Sequence, residues 1–442
     1  MEGNQMLLAC IVCVIYAFLA TSASAVGPEQ VHISFGYQPS QMFVMWSTAQ
    51  FGDSTVAYGT DQFHLSSKKS GTCWRFTYGN PNGLQYIHRV LLEDLKPGTG
   101  YWYYVQTSGN SSDLFHFTTM QSGAGWSPKV LVYGDMGKEG GSQSLPSLYK
   151  EAASGEYAAV VHVGDFAYDL DSDGGENGDE FMRRLEPIAS TLPYMTAEGN
   201  HESGYNFSHY INRFSMPSNS SSPHWYSWDM GPAHFIRCNT LSPHTQESLL
   251  SLYLSSYSTE VYFYSYFSGW GISQQLKWLQ EDLAKAQTNR AERPWIIAYG
   301  HRPMYCSNLN RDDCTTPKSV VRAGLEEMFY KAGVDIILEA HEHSYERLWP
   351  VFNETVTANN YIDPKAPVHL VSGTAGCREG VDPMLGPKGP WSAFRSWYPS
   401  RHGYGRLEVV NSTHVYWGQV VDGNMTLEDE IWIVQHSHGP FN

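Results

Sequence analysis

The sequence predicts two folded units, an N-terminal all-β sandwich followed by a larger layered α/β domain of β-sheets flanked by helices. Three observations carry this expectation. Between about Pro28 and Gln121, short segments rich in β-branched and aromatic residues are separated by Gly, Pro, Asn or Ser. From Lys129 onward, continuous apolar runs alternate with stretches of helical spacing, the pattern of strands covered on both faces by helices. With 442 residues, 42% hydrophobic and 14% aromatic, the chain can bury more than one core.

The first segment reads as a targeting signal. Met6 to Ala20 (MLLACIVCVIYAFLA) is apolar and uncharged but short for a bilayer span, and Ala23-Ser24-Ala25 offers small residues for cleavage before Val26. Residues 1–25 are therefore an expected signal peptide, although Glu2 stands where a basic residue is usual. No later run is apolar enough to cross a membrane, so we expect a secreted or lysosomal protein without a stable anchor. Asn-x-Ser/Thr triplets at Asn110, Asn206, Asn219, Asn353, Asn411 and Asn424 are the candidate glycosylation sites. Without Cys10 and Cys13 the mature chain keeps Cys73, Cys238, Cys306, Cys314 and Cys377, an odd number. Cys306 and Cys314 are near enough in sequence to close a small disulfide loop.

Residues 28–121 form the expected sandwich domain, with strands at Gln30 to Phe35, Met42 to Ser47, Ser54 to Tyr58, Tyr86 to Leu91, Tyr101 to Thr107 and Leu114 to Thr118. Glu93 to Thr99 followed by Tyr101-Trp102-Tyr103 resembles the late-strand corner of a fibronectin type III module. His32, His64, His88 and His116 are expected to be surface or cross-strand residues rather than ligands. A linker, Ser122 to Pro128, leads into the second domain, residues 127–437. Its strands are expected at Lys129 to Tyr133, Ala158 to Val163, Trp295 to Tyr299 and Val334 to Leu338. Its clearest helices are Phe181 to Ser190 and Ile272 to Ala286, the latter with Leu276, Leu279 and Leu283 on one face.

Ligands of layered α/β folds collect beyond the carboxyl ends of the strands. There the sequence places Gly134-Asp135-Met136-Gly137, Gly164-Asp165-Phe166-Ala167-Tyr168, Gly199-Asn200-His201-Glu202, Gly300-His301-Arg302-Pro303 and Glu339-Ala340-His341-Glu342-His343. One Gly-Asp pair is an ordinary turn and helix cap. Five successive exits carrying carboxylate, amide and imidazole groups suit two metal ions, with Asp165 central enough to bridge them. The glycines before Asp135, Asp165, Asn200 and His301 are expected to let the backbone turn sharply there.

This ordered set resembles the purple acid phosphatases among the calcineurin-like metallophosphoesterases, in particular their animal, iron/zinc purple acid phosphatase-like group. The resemblance implies a ferric ion held by Asp135, Asp165, Tyr168 and His343, and a divalent ion, zinc or a second iron, held by Asp165, Asn200, His301 and His341. Tyr168 would give the ferric charge-transfer colour of the family. His201 would contact phosphate or protonate the leaving group. Plant members carry a histidine pair where Asn310 and Arg311 stand here, so Arg311 offers only charge to the substrate. Around 237–257, between His234-Phe235-Ile236 and the strand-like Ser258 to Phe263, the chain carries a candidate insertion.

The expected activity is hydrolysis of phosphate monoesters by a metal-bound hydroxide in an acid phosphatase. A phosphodiesterase or nucleotidase on the same fold and a binding glycoprotein with a vestigial site are the alternatives. No GxSxG or GxxxxGK[ST] motif points to another phosphate chemistry. The net charge of −16 excludes nucleic acid and other polyanions as general partners. A small phosphate ester remains compatible, because two cations would reverse the local charge of Asp135 and Asp165. The oligomeric state is not encoded legibly.

Overall fold

A computed structural model of the chain describes residues 27–77, 84–139, 141, 143–218, 222–240, 272–310, 312–317, 319–382, 384–396, 401–421 and 424–441. The expected signal peptide 1–25 with Cys10 and Cys13, the acceptor Asn219, the substrate candidate Arg311, most of the candidate insertion and Ser258 to Phe263 lie outside them.

The N-terminal unit is a sandwich of two antiparallel sheets. One runs in the order Glu29–Phe35, Met42–Thr48, Gln85–Leu92, Thr72–Phe76, and the other is built on Thr55–Gly59 and Gly100–Thr107. Valines, aromatics and other bulky side chains, among them Val31, Val44, Trp46, Val56, Tyr103 and Val105, fill its core. Ser67–Ser70 and Thr72–Phe76 are strands the sequence does not announce, because SKKS and TCWRF lack apolar alternation. His32 and His88 are cross-strand residues, opposite Met45 and Trp46, and both are buried. His88 is fully buried, stacked on Trp46 and bonded to Thr48 and Ser54, and burial lowers its pKa to about 4. His32 is buried between the carbonyl oxygens of Gln30 and Arg213. Neither joins a metal-ligand cluster.

The sandwich leans on the second unit through specific bonds. Glu186, on the helix Glu176–Ala189, accepts from the Val31 amide at 2.7 Å, and Tyr103 donates to the Ser190 carbonyl at 2.7 Å.

The second unit has four layers. A six-stranded sheet runs in the order Tyr194–Ala197, Ala159–Val163, Lys129–Tyr133, Gly403–Val409, His414–Val421, Thr426–Val434. A seven-stranded sheet runs Tyr226–Met230, Ala233–Arg237, Trp295–Tyr299, Ile336–Glu339, Val368–Ser372, Tyr345–Leu348, Ser392–Arg395. Their inner faces meet, with Val130, Val132, Val161 and Val163 sharing a core with Phe235, Ile297, Leu338 and Leu370. Helices Leu145–Ala153 and Glu176–Ala189 cover one outer face, where Leu131 and Val160 meet Leu148, Phe181 and Leu185. Helices Ile272–Thr288 and Val320–Ala332 cover the other, where Ile296 and Ile337 meet Leu279, Leu283, Leu325 and Phe329. The apolar runs are therefore buried by helices on one face and by the opposite sheet on the other, not by helices on both. Full burial of each such side chain contributes about 1.5–3 kcal/mol.

Parallel pairing aims the functional ends together. Lys129–Tyr133, Ala159–Val163 and Tyr194–Ala197 are mutually parallel, as are Trp295–Tyr299 and Ile336–Glu339 in the facing sheet. Hydrogen bonds from Gly134 N to Ser372 O, at 3.0 Å, and from Ala340 N to His301 O, at 2.9 Å, join the exits at one rim.

On the seven-stranded sheet, His234 lies between Asp229 at 2.6 Å and Asp282 at 3.0 Å, with Arg293 beside Asp229. Burial alone would lower its pKa, but the hydrogen bonds to Asp229 and Asp282 outweigh that and raise it to about 9. A raised histidine stabilises the fold fully below its unfolded value of about 6.5, and that contribution is lost as pH climbs through 9. His234→Gln should therefore cost on the order of 3 kcal/mol at pH 6 and far less at pH 10. Denaturant midpoints at the two pH values measure this, and an equal loss at both would refute it.

Candidate metal centre

Each strand exit delivers a donor for a local reason. Gly164 has φ +89°, and a Cβ there would meet His301 Nδ1 at 2.4 Å, so both conformation and space require glycine. A Cβ on Gly199 would fall 2.0 Å from Asp165 Oδ1. The four glycines before Asp135, Asp165, Asn200 and His301 serve in two ways. Among them only Gly164 has positive φ, while Gly134, Gly199 and Gly300 are needed for close approach. The left-handed backbone falls instead on the donor residues Asp135 (φ 62°), Asp165 (φ 57°), Tyr168 (φ 49°) and His341 (φ 68°).

Seven side chains converge: Asp135, Asp165, Tyr168, Asn200, His301, His341 and His343. Donor atoms of Asp135, Asp165 and His343 lie within 4.8 Å of one another, and so do those of Asp165, His301 and His341. Asp165 belongs to both groups. The Tyr168 hydroxyl joins the first, 3.2 Å from Asp135 Oδ1 and 2.7 Å from His343 Nε2. Asn200 joins the second, its Oδ1 3.1 Å from His301 Nε2.

The imidazoles are oriented through their other nitrogens. His301 Nδ1 donates to Val163 O at 2.8 Å, His341 Nε2 donates to Asp312 Oδ2 at 2.6 Å, and His343 Nδ1 lies 3.0 Å from Cys377 Sγ, whose own hydrogen goes to Gly380 O. This leaves His301 Nε2 without a proton of its own, yet facing Asn200 Oδ1 at 3.1 Å, His341 Nδ1 at 3.2 Å and Asp165 Oδ2 at 3.3 Å. Electron-rich atoms converging this closely need a positive charge among them. Burial disfavours the charged His341 ring, but Asp312 outweighs that and raises its pKa to about 9, so a proton on Nδ1 supplies the charge where a bound cation would take its place. Burial and the neighbouring Asp165 likewise hold the Asp135 carboxyl well above the usual carboxylate range. Two buried carboxylates, a phenol, an amide oxygen and three imidazoles fit a pair of cations, the harder donors grouped on one side and the nitrogen-rich set on the other.

The side chains that support this cluster carry little signal in the sequence. Glu202, buried, accepts from the amides of Gly199 at 2.7 Å, Phe166 at 2.8 Å and Asp165 at 2.9 Å, locking two exits together. Asp169 accepts from His201 Nδ1 at 2.6 Å and from Arg378 at 3.2 Å. His201 thus turns Nε2 toward the rim, 4.0 Å from Asp165 Oδ2 and 3.8 Å from Glu379 Oε1. Burial lowers the His201 pKa, but Asp165 and Asp169 prevail and raise it to about 9. The spacing of Glu202 within Gly199-Asn200-His201-Glu202 is the one signal that could have found it; Asp169, Asp312 and Cys377 carry none.

A disulfide joins Cys306 and Cys314, leaving Cys73, Cys238 and Cys377 as thiols among the described residues. Asn110, Asn206, Asn353, Asn411 and Asn424 are all exposed.

Comparisons with known proteins agree along the chain. Residues 28–119 match the family model for the purple acid phosphatase N-terminal domain, 128–345 that for calcineurin-like phosphoesterase, and 366–430 that for iron/zinc purple acid phosphatase-like protein C. Acid phosphatase type 7 of Homo sapiens is 43% identical over 431 residues, covering 94% of this chain and 93% of its own length. The Fe(3+)-Zn(2+) purple acid phosphatase 12 of Arabidopsis thaliana is 29% identical, covering 92% of this chain and 84% of its own length. A purple acid phosphatase from yellow lupin seeds shares the fold, with a TM-score of 0.76 at 21% identity over 93% of this chain and 75% of its own. Similarity that runs from the sandwich through the metal-ligand exits to the C-terminal strands shows that this chain belongs to the purple acid phosphatase family of calcineurin-like phosphoesterases.

Proposed function

We propose that this binuclear-metal acid phosphatase hydrolyses small phosphate monoesters, with iron(III) held by Asp135, Asp165, Tyr168 and His343 and zinc or iron(II) held by Asp165, Asn200, His301 and His341. One observation carries the reading: the Asp165 carboxylate belongs to both donor groups, with a phenol oxygen beside one and imidazole nitrogens beside the other. Bound there, the two cations supply positive charge for the phosphate oxygens and acidify a water molecule. The protein's own residues do the rest. Glu202 holds the Asp165 backbone in place, and Asp169 fixes the His201 ring so that Nε2 can protonate the departing alkoxide.

The destination is secretion or the lysosome, supported by the Cys306–Cys314 disulfide, which belongs to an oxidising compartment, and by the exposed acceptor asparagines. Among the described residues no helix is long and apolar enough to cross a membrane. The negative net charge disfavours nucleic acid as a partner.

The test is metal analysis with the visible spectrum, in the parent protein and in Tyr168→Phe. One iron and one divalent ion per chain are expected with a purple band. Tyr168→Phe should lose that band while keeping iron, because only the phenolate oxygen supplies the charge transfer. An unchanged band would remove Tyr168 from the ligand set. Faster turnover of a diester than of a monoester would instead favour the phosphodiesterase alternative.

A further inference from the structure

We propose that Asp312 is a positioning residue for the divalent metal: it fixes His341 so that Nδ1 faces the ion, and the Cys306–Cys314 loop holds Asp312 in that place. This rests on the assignment of His301 and His341 as ligands of the divalent ion.

The Asp312 carboxylate is shared between two strand exits. Its Oδ2 accepts from His341 Nε2 at 2.6 Å, and its Oδ1 accepts from the Arg302 guanidinium at 2.8 Å. Arg302 directly follows His301, so one side chain couples the positions of both imidazole ligands. Because a carboxylate only accepts, Nε2 keeps its proton, and Nδ1, 3.2 Å from His301 Nε2, is the nitrogen left to meet a cation. The negative charge of Asp312 also makes that imidazole a stronger donor.

The loop is built to keep Asp312 there. Cys306 and Cys314 close it by a disulfide, and the Cys306 amide donates to Cys314 O at 3.2 Å. Within it, the Asp312 amide donates to Asn310 Oδ1 at 3.0 Å. The side-chain amides of Asn308 and Asn310 both donate to Glu342, the buried residue next to His341. The loop therefore grips His341 through its ring and through its neighbour. The other imidazoles are held differently, His301 by a backbone carbonyl and His343 by a thiol, so the direct effect of removing the Asp312 charge falls on the divalent half.

The experiment titrates the divalent ion against a competing chelator in the parent protein, Asp312→Asn, Asp312→Ala and His341→Ala, with the ferric visible band recorded throughout. Both Asp312 variants should bind zinc about 10–100-fold more weakly, keep iron and its band, and regain turnover in excess zinc. Asp312→Asn keeps the shape of the residue and guards against misfolding in the alanine variant. If His341→Ala keeps parental zinc affinity, the ligand assignment fails, and the proposal with it. If His341→Ala loses zinc while both Asp312 variants bind it as the parent does, the proposal alone is overturned. Equal loss of iron and zinc in Asp312→Asn would also overturn it, since the role would then be general support of the fold.

Discussion

Asp165→Ala should abolish phosphatase activity and strip both metals. Residues that merely orient ligands cost about 10–100-fold when replaced, and Asp165 should cost far more, because it is the donor common to both groups. It also accepts from the His201 amide at 3.0 Å, so its loss loosens the proposed acid as well. Asp165→Asn separates charge from shape: it retains one oxygen donor but neither the negative charge nor a second oxygen, and the two cations would lose their shared counter-charge. The check is metal stoichiometry with kcat/KM on an aryl phosphate. An Asp165→Ala protein that keeps two equivalents of metal would show that the two groups do not share a bridging ligand.

His201→Ala should lower kcat by about 10²–10⁴-fold on alkyl phosphates, the range that a positioned general acid supplies. On a substrate such as 4-nitrophenyl phosphate, whose leaving group needs no proton, the loss should be much smaller. The pH profile gives a second readout. With its pKa raised to about 9 by Asp165 and Asp169, against the lowering by burial, His201 is protonated across the acid and neutral range. Cations on Asp165 would reduce that elevation, so the alkaline limb of kcat should lie at or below about pH 9 and disappear in His201→Ala. An equal loss on both substrates, with the limb intact, would assign proton donation to another group.

Much of the fold is legible in the chain because its signals are local. The runs KVLVY, AVVHV and WIIAY are strands since a central strand of a layered fold needs apolar residues at every position. Ile272–Thr288 is a helix whose Leu279 and Leu283 fall on the buried face, as their spacing requires. Ser67–Ser70 is illegible because an edge strand of alternating half-buried and exposed polar residues has no hydrophobic period to read. The cross-strand place of His88 is legible, but its full burial is not, because that depends on Thr48, Ser54 and Trp46, which only the tertiary fold brings against it.

The same division runs through the candidate site. Sequence alone determined the fold class, the acidic balance and the set of candidate donors, since each stands within a few residues of its own strand end. Tertiary structure decided what each donor does. Lys129–Tyr133, Ala159–Val163 and Tyr194–Ala197 belong to one sheet, Trp295–Tyr299 and Ile336–Glu339 to the other, and their exits meet at one rim only because the two sheets pack face to face. The partners that aim the imidazoles, Val163 O, Asp312 and Cys377, come from separate segments and carry no motif. Their selection rests on distance and direction, because a hydrogen bond must align within about 3 Å, and residue order does not encode that geometry between distant segments.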